Sequence, residues 1–234
     1  MLKKSTLSHP IYGTIKITHD TRARRIIMRA RPDAIYITLP TTAGQQEIEN
    51  ALNKFGNKLL AQQKREEHNT IEAGYRIDAP LFKFGIELHD SNKFILKEKN
   101  GEYTLLCPES TPLDTAEKQA WLRRVIVNCM RKEATKTLPA RLHKHASNHN
   151  LKYKRVTIRD SHSRWGSCSS NGTISLSLYL MLLPTKLIDY VLLHELCHTV
   201  EMNHSTRFWE KLNTLTGTNA KLLRAELRKH KTAL

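Results

Sequence analysis

Two histidines and a glutamate stand close together in the segment 191–204, which reads VLLHELCHTVEMNH. His194 and His198 are four residues apart, so on a helix their imidazoles lie on one face and can bind one metal ion. Glu195 would lie about 100° around the helix from His194, which places its carboxylate beside the ion and not on it. A carboxylate in that position can act as the general base for a water molecule that a metal activates.

The residues around this motif favour a functional metal site over a chance match. Apolar residues occupy several sides of the predicted helix, which must therefore be largely buried: Leu187, Ile188, Val191, Leu192, Leu193, Leu196 and Cys197. An unpaired glutamate inside such a helix would carry a large desolvation cost. A metal and its water would relieve that cost.

Glu201 and His204 are the candidates for a third ligand. If the helix continued, Glu201 would lie about 10.5 Å along the axis from His194, too far for both to bind one ion in a tetrahedral site. His204 avoids this limit if the chain turns at Met202-Asn203, because Asn tolerates the left-handed conformation that ends helices. We therefore expect His204 as the third ligand, and Glu201 as an acceptor for the N–H of a ligand.

Three protein ligands leave a fourth position open for water, as catalysis requires, whereas a structural zinc site uses four protein ligands. Cys168 is the one residue that could fill this position. Cys197 lies off the face of the two histidines and is expected to be a small buried hydrophobic residue. Zn²⁺ is the expected ion, one per chain, and another divalent metal remains an alternative.

The surrounding elements predict an α+β fold with a β-rich N-terminal portion. Alternation and turn signals predict strands at 11–18, 25–29, 34–39, 75–77, 81–88, 94–97 and 102–107, with turns at Arg31-Pro32-Asp33 and Asn100-Gly101. Helical spacing predicts one amphipathic helix over 42–67, with these inner positions: Ile48, Leu52, Phe55, Leu59 and Leu60.

The second half of the chain is predicted to be mostly helical. A helix is expected over 115–149, which Pro139 could interrupt, and a further helix is expected to start at Ser205. Between them we expect a strand at 155–159, a polar loop at 160–172 and a strand at 173–180. Three histidines of the long helix are expected to be exposed, because no carboxylate or cysteine joins them: His143, His145 and His149.

The polar, proline-bearing segment 108–114 is the predicted linker. It divides the chain into a β-rich region with one amphipathic helix, 1–112, and a helical metal-binding domain, 113–234. The sequence does not indicate an oligomeric state.

The composition fits a folded, basic protein. Thirty-eight Lys+Arg against 22 Asp+Glu give a net charge of +16, which attracts phosphates, nucleic acid or acidic peptides. The basic residues are spread along the chain, which favours solvated basic surfaces over a dedicated groove for nucleic acid. Binding to nucleic acid is therefore supported by the net charge alone.

Four cysteines without paired spacing and an N-terminus without an apolar segment favour the cytoplasm. The longest apolar run is about half the roughly 20 residues that span a bilayer, so no membrane segment is predicted.

Several further motifs accompany the metal-binding helix: TRARRIIMRARPDAIYITLP near the N-terminus, Arg159-Asp160, Ser163-Arg164-Trp165-Gly166-Ser167-Cys168, Gly172-x-Ile174, Pro184, Ile188-Asp189-Tyr190-Val191 and Asn203-His204-Ser205 with Phe208-Trp209. Together with His194–His198, they resemble the YgjP-like family of bacterial metal-dependent hydrolases, which is related to the SprT-like zinc metallopeptidases. The resemblance covers about residues 12–215.

This resemblance implies a zincin-like fold, with His194, His198 and His204 as metal ligands and Glu195 as the catalytic acid/base. Family members often carry Asn and an aromatic residue at the positions of Ser177 and Leu178. This chain has Ser177 and Leu178 there. A substrate contact that family members make through that Asn is therefore not implied for this chain.

Three hypotheses about function follow. The preferred one is a zinc-dependent, metallopeptidase-like hydrolase, in which Glu195 takes a proton from the metal-activated water and an extended peptide pairs with the strand at 173–180. Arg164 and Trp165 are candidates for its cleft. The second is a metal-dependent nucleotide phosphohydrolase of the pyrophosphatase type, which the net charge would suit. The third is a nucleic-acid-associated metalloprotease, whose binding would weaken steeply with salt.

Overall fold

The computed structural model describes residues 3–31, 34–67 and 70–231. The predicted α+β class is confirmed, since these residues form eleven strands in three sheets and five α-helices. None of the helices in these ranges is long and apolar enough to cross a membrane. The chain forms two compact units: 1–71 with 113–119, and 72–112 with 120–234. The proposed division at residue 112 stays a prediction.

The first unit contains a four-stranded sheet and helix α1. The strands β1 (Lys3–His9), β2 (Gly13–His19), β3 (Ile27–Arg31) and β4 (Ala34–Leu39) are ordered β1-β2-β4-β3, and only the pair β2–β4 is parallel. Helix α1 (Gln45–Glu67) contributes to the same apolar core as one face of the sheet. The core includes Ile15, Ile17, Ile35, Ile37 and Leu39 from the sheet, and Leu52 and Leu59 from α1.

Two details of this unit differ from the sequence predictions. Strand β1 was not predicted, because KKSTLSH lacks alternating apolar residues. Phe55 was predicted to face inward but is 46% exposed. The ring of Tyr12 occupies the inner side of α1 beside Gly56, and its hydroxyl donates to the Leu52 carbonyl at 3.4 Å. Part of the predicted turn at 31–33 lies outside the described residues.

The second unit begins with another four-stranded sheet. Its strands are β5 (Arg76–Ala79), β6 (Phe82–His89), β7 (Ile95–Lys99) and β8 (Glu102–Pro108), in the order β5-β6-β8-β7. The predicted hairpin between β7 and β8 is confirmed, with positive φ at both Asn100 and Gly101. Tyr103 of β8 donates its hydroxyl to Glu133 Oε1 at 2.8 Å, which ties this sheet to the long helix that follows.

That helix, α2 (Ala116–Asn148), continues through Pro139 without a break. The expected interruption is therefore absent. Leu138 and Leu142, on either side of the proline, are fully buried, and their packing outweighs the backbone hydrogen bond that proline removes.

A three-stranded sheet precedes the metal-binding helix. Its strands are β9 (Arg155–Arg159), β10 (Gly166–Cys168) and β11 (Thr173–Ser177), in the order β10-β11-β9. Strand β11 has partners on both sides, so the prediction that a peptide pairs with the strand at 173–180 is wrong. Residues 178–182 form a 3-10 helix, and Ser177 caps it by accepting from the Tyr179 N–H at 3.3 Å.

Strand β10 lies at one edge of this three-stranded sheet. It falls within residues 160–172, which were predicted to form a polar loop without a strand.

Three helices complete the unit: α3 (Thr185–Cys197), α4 (Thr206–Thr216) and α5 (Ala220–Leu227). The predicted start of α4 is confirmed, because the Ser205 side chain caps it by accepting from the Phe208 N–H at 3.4 Å. The apolar residues of α3 are buried on several sides, as predicted, and Cys197 is fully buried.

An ion cluster joins α2 to α3. Asp189 of α3 accepts from Arg141 Nε at 2.5 Å and Nη2 at 2.7 Å, and His145 Nε2 lies 2.7 Å from the same carboxylate. His145 is half-buried by this contact, so its predicted exposure is wrong, and His149 is also half-buried. His143 is exposed as predicted. The carboxylate that His145 contacts belongs to Asp189 of α3. Residue spacing within α2 alone could not have predicted this contact.

We predict that Asp189→Asn lowers the free energy of unfolding at pH 7 by about 1.5–3 kcal/mol, the usual range for hydrogen bonds to a charged group. Burial alone would raise the pKa of Asp189, but the hydrogen bonds from Arg141 and His145 outweigh it and hold the pKa well below the usual range. The stabilisation is therefore present above the unfolded-state pKa of about 3.9 and is lost as the pH falls through the lower folded-state pKa.

Urea unfolding from pH 7 down to pH 2 measures this effect. The difference between the parent and Asp189→Asn should shrink as the pH falls below about 4. Asp78→Asn is the matched control, because Asp78 is 84% exposed and lies 3.9 Å from Lys83. Equal losses for the two variants at pH 7 would contradict the prediction.

Candidate metal centre

Three histidines converge where α3 ends. His194 lies in the last turn of α3, His198 follows its last residue, and His204 immediately precedes the cap of α4. One donor atom from each lies within 4.8 Å of the others, and the Nε2 atoms of His194 and His204 are 3.1 Å apart. Two nitrogens bound to one tetrahedral Zn²⁺ would be about 3.3 Å apart. The spacing therefore fits a single shared ion.

The chain turns toward His204 earlier than predicted. Helix α3 ends at Cys197, and the N–H groups of residues 199–201 bond to the carbonyls of Leu196 and Cys197. Because these bonds satisfy the end of the helix, no left-handed residue is needed, and Asn203 does not have a positive φ. The expected left-handed turn at Asn203 is wrong, although His204 returns to His194 as the prediction required.

The backbone of this turn also orients one ligand. The Nδ1 atom of His198 lies 3.1 Å from the carbonyl oxygen of Glu201. A carbonyl can only accept, so Nδ1 carries the proton and the Nε2 lone pair is left for a metal. Glu201 thus takes the acceptor position expected of it, but through its main chain.

Aromatic rings from α4 support the histidines. The ring of Phe208 stacks on His198 with centroids 4.6 Å apart, and Trp209 stacks on His204 at 5.8 Å. On α5, the guanidinium of Arg224 lies 5.4 Å from the centroid of the Trp209 ring. The Phe208-Trp209 motif was noted from the sequence, but its contact with the histidines was not predicted.

The electrostatic environment keeps His194 in the form that binds metals. Burial, followed by the neighbouring His198 and His204, lowers the pKa of His194 to about 3. Its imidazole is therefore neutral at physiological pH and has a lone pair to share.

Glu195 lies beside the histidines in a buried position. Its side chain is 5% exposed, and burial, opposed by the charge of Arg164, raises its pKa to about 8. Among the described residues, its Oε2 atom has no hydrogen-bond partner. A buried carboxylate oxygen without a partner is costly, and a cation with its water beside the carboxylate would relieve that cost. The donor set and the orphaned oxygen therefore both fit a divalent metal.

Gly166 of β10 forms the wall against which Glu195 packs. A Cβ atom at this position would lie 2.7 Å from both Cγ and Oε1 of Glu195, closer than real contacts allow. Only glycine leaves room for this carboxylate. This role of Gly166 was not predicted from the sequence, although a residue without a side chain directly after the bulky Trp165 was a signal.

The other residues singled out from the sequence lie nearby. Arg164 is exposed and, with Arg159 and Gly166, lines a cleft of about 200 Å³. Trp165 is half-buried, and its carbonyl accepts from the Ser177 N–H at 2.8 Å. Cys168 donates its thiol to the Ser169 carbonyl at 3.5 Å and, within the described part of the chain, does not join the histidine cluster.

Three histidines around one point, with a buried carboxylate alongside, are the arrangement of a metal-dependent hydrolase. The family model for the YgjP-like metallopeptidase domain matches residues 24–230 of this chain. The chain therefore belongs to the YgjP-like family, a metallopeptidase family whose zincin-like fold agrees with the architecture above. Membership implies a metal cofactor and a peptide substrate. No curated protein and no solved structure matches the chain significantly.

We predict that His204→Ala weakens Zn²⁺ binding by about 100-fold or more, because changes to residues that merely support a ligand already cost about 10–100-fold. Titration calorimetry on the metal-free protein measures the affinity. His143→Ala is the control, since His143 is exposed on α2 and outside the cluster. An unchanged affinity in His204→Ala would remove this residue from the site.

We also predict that Gly166→Ala lowers hydrolysis of labelled casein by about 100-fold while Zn²⁺ affinity is retained. The added methyl group displaces the carboxylate of Glu195, the predicted general base, and general acid–base catalysis contributes about 10²–10⁴-fold. Gly85→Ala on β6 is the control, because a Cβ there meets no atom within 4 Å. Equal activities of the two variants would show that Gly166 does not position the carboxylate.

Proposed function

We propose that this protein is a zinc-dependent peptide hydrolase in which His194, His198 and His204 hold the metal and Glu195 is the general base. The observation that carries the proposal is the buried Glu195 carboxylate, with its free Oε2, beside three converging imidazoles. When bound, Zn²⁺ polarises a carbonyl group and lowers the pKa of a water molecule to about 7. Neutral imidazole ligands suit this ion.

Glu195 would move the protons of the reaction. Its Oε2 atom, which has no hydrogen-bond partner among the described residues, is free to take a proton from the attacking water. The same carboxyl group then returns the proton to the amine that leaves when the peptide bond breaks. Gly166 leaves room for this carboxyl group, because a Cβ atom at that position would lie 2.7 Å from its Oε1 and Cγ.

Strand β10 offers the edge along which a substrate would bind. Ser177 donates to the Trp165 carbonyl and Ser169 donates to the Thr173 carbonyl, so residues 165 and 169 bond inward to β11. By the alternation of an antiparallel pair, the backbone groups of Gly166 and Cys168 point to the outer edge. An extended peptide adding to this edge would pass beside Glu195.

A nucleotide phosphohydrolase is the second candidate. The observation that favours it is the pair Arg159 and Arg164 in the cleft next to β10, since guanidinium groups bind phosphate with two parallel hydrogen bonds. Association with nucleic acid rests on the net charge alone and stays a prediction. So does a cytoplasmic location.

The decisive test incubates the zinc-loaded protein with labelled casein and with a panel of nucleoside triphosphates. We expect casein to be cleaved, and Glu195→Gln to lower the rate by about 10²–10⁴-fold without loss of metal. Glu201→Gln is the control, because the orienting contact of Glu201 comes from its backbone carbonyl. A Glu195→Gln variant as active as the parent would remove Glu195 from the mechanism. Cleavage of triphosphates but not of casein would select the second candidate.

A further inference from the structure

The cleft beside β10 carries positive charge without a partner. It is lined by Arg159 and Arg164 together with Ser161, Ser167, Ser175 and Ser177, and none of its lining residues is acidic. Among the described residues, neither guanidinium has an ion-pair or hydrogen-bond partner. In the same unit, Arg131 and Arg141 are paired with Asp160 and Asp189. The residues that line the cleft therefore supply two cations and several hydroxyl groups but no anion, and the charge of Arg164 acts on the buried Glu195 beyond Gly166.

Gly166 links this cleft to the catalytic carboxylate. It lines the cleft and also packs against Glu195, so the two sites meet at a single residue of β10. A single substrate molecule that extends along β10 can therefore reach both the cleft and Glu195.

The register of the sheet indicates which part of the substrate reaches the cleft. Side chains alternate along a strand, so Ser167 points to the face opposite that on which Gly166 meets Glu195. Ser167 is paired with Ser175, which bonds to Thr157, and Arg159 is paired with Ser177 on this same face. A peptide extended along β10 also alternates its side chains. The residue next to the one that faces Glu195 is therefore directed to the arginine-lined face.

We propose that Arg159 and Arg164 bind a carboxylate of the substrate, so that the site prefers peptides with Asp or Glu adjacent to the scissile bond. This inference rests on the proposed peptide hydrolase. A guanidinium binds a carboxylate with two parallel hydrogen bonds, and the serine hydroxyls add further donors. Ser177 is already committed, since its hydroxyl donates to the Ser161 carbonyl at 2.9 Å.

The test compares fluorogenic peptides that carry Glu or Gln on either side of the cleavage site, with the zinc-loaded protein. We expect kcat/KM to be about tenfold higher for a Glu peptide, and Arg159→Gln to bring the ratio close to one. Arg155→Gln is the matched control, because Arg155 is exposed on the same strand and does not line the cleft. Its ratio should stay at the parent value. Equal kcat/KM for Glu and Gln peptides in the parent, or an equal loss in Arg155→Gln, would overturn the inference.

A binding measurement separates this inference from the proposed function. Zinc-loaded Glu195→Gln is titrated with the labelled Glu and Gln peptides, and fluorescence anisotropy gives the affinity. If the parent cleaves no peptide, the proposed function fails. The carboxylate site is still supported if the Glu peptide binds more tightly than the Gln peptide and Arg159→Gln removes this difference. Equal affinity for both peptides would overturn it whatever the activity.

Discussion

The interaction on which the site depends is electrostatic. Glu195 is buried with one carboxylate oxygen unpartnered, a state that is costly in a low-dielectric environment unless a cation lies close by. His194 is held neutral by its own burial and by the adjacent histidines, so it contributes a lone pair and no charge. A divalent ion between the three imidazoles would satisfy both conditions at once. Without such an ion, this constellation has no evident benefit for stability.

The rest of the second unit holds these groups in place. Gly166 leaves room for the carboxylate, the backbone of the turn after α3 fixes the tautomer of His198, and Phe208 and Trp209 restrict the imidazoles by stacking. The Asp189 cluster anchors the helix that carries two of the ligands. Each support comes from a different element: a strand, a turn and two helices. The positions of the functional groups therefore depend on the packing of the whole unit.

The sequence predicted the parts whose information is local. The spacing of His194 and His198, the apolar surroundings of Glu195 and the cap at Ser205 each lie within a few residues, and so does the Asn100-Gly101 hairpin. The missed features are pairings across the chain. Strand β10 has three residues and no apolar alternation, so it is recognisable only through its pairing with β11. His145 contacts Asp189, which is 44 residues away in the sequence. Phe55 is exposed because the ring of Tyr12 fills the inner space beside Gly56.

X-ray absorption spectroscopy at the zinc edge, on protein loaded with one equivalent of Zn²⁺, would identify the ligands of the metal. We expect three imidazole nitrogens at about 2.0–2.1 Å, a further light-atom ligand and no sulfur. A shell at about 2.3 Å would identify a cysteine ligand and contradict an open fourth position. A spectrum with fewer than three imidazoles, or failure to retain the ion at all, would contradict the three-histidine centre itself.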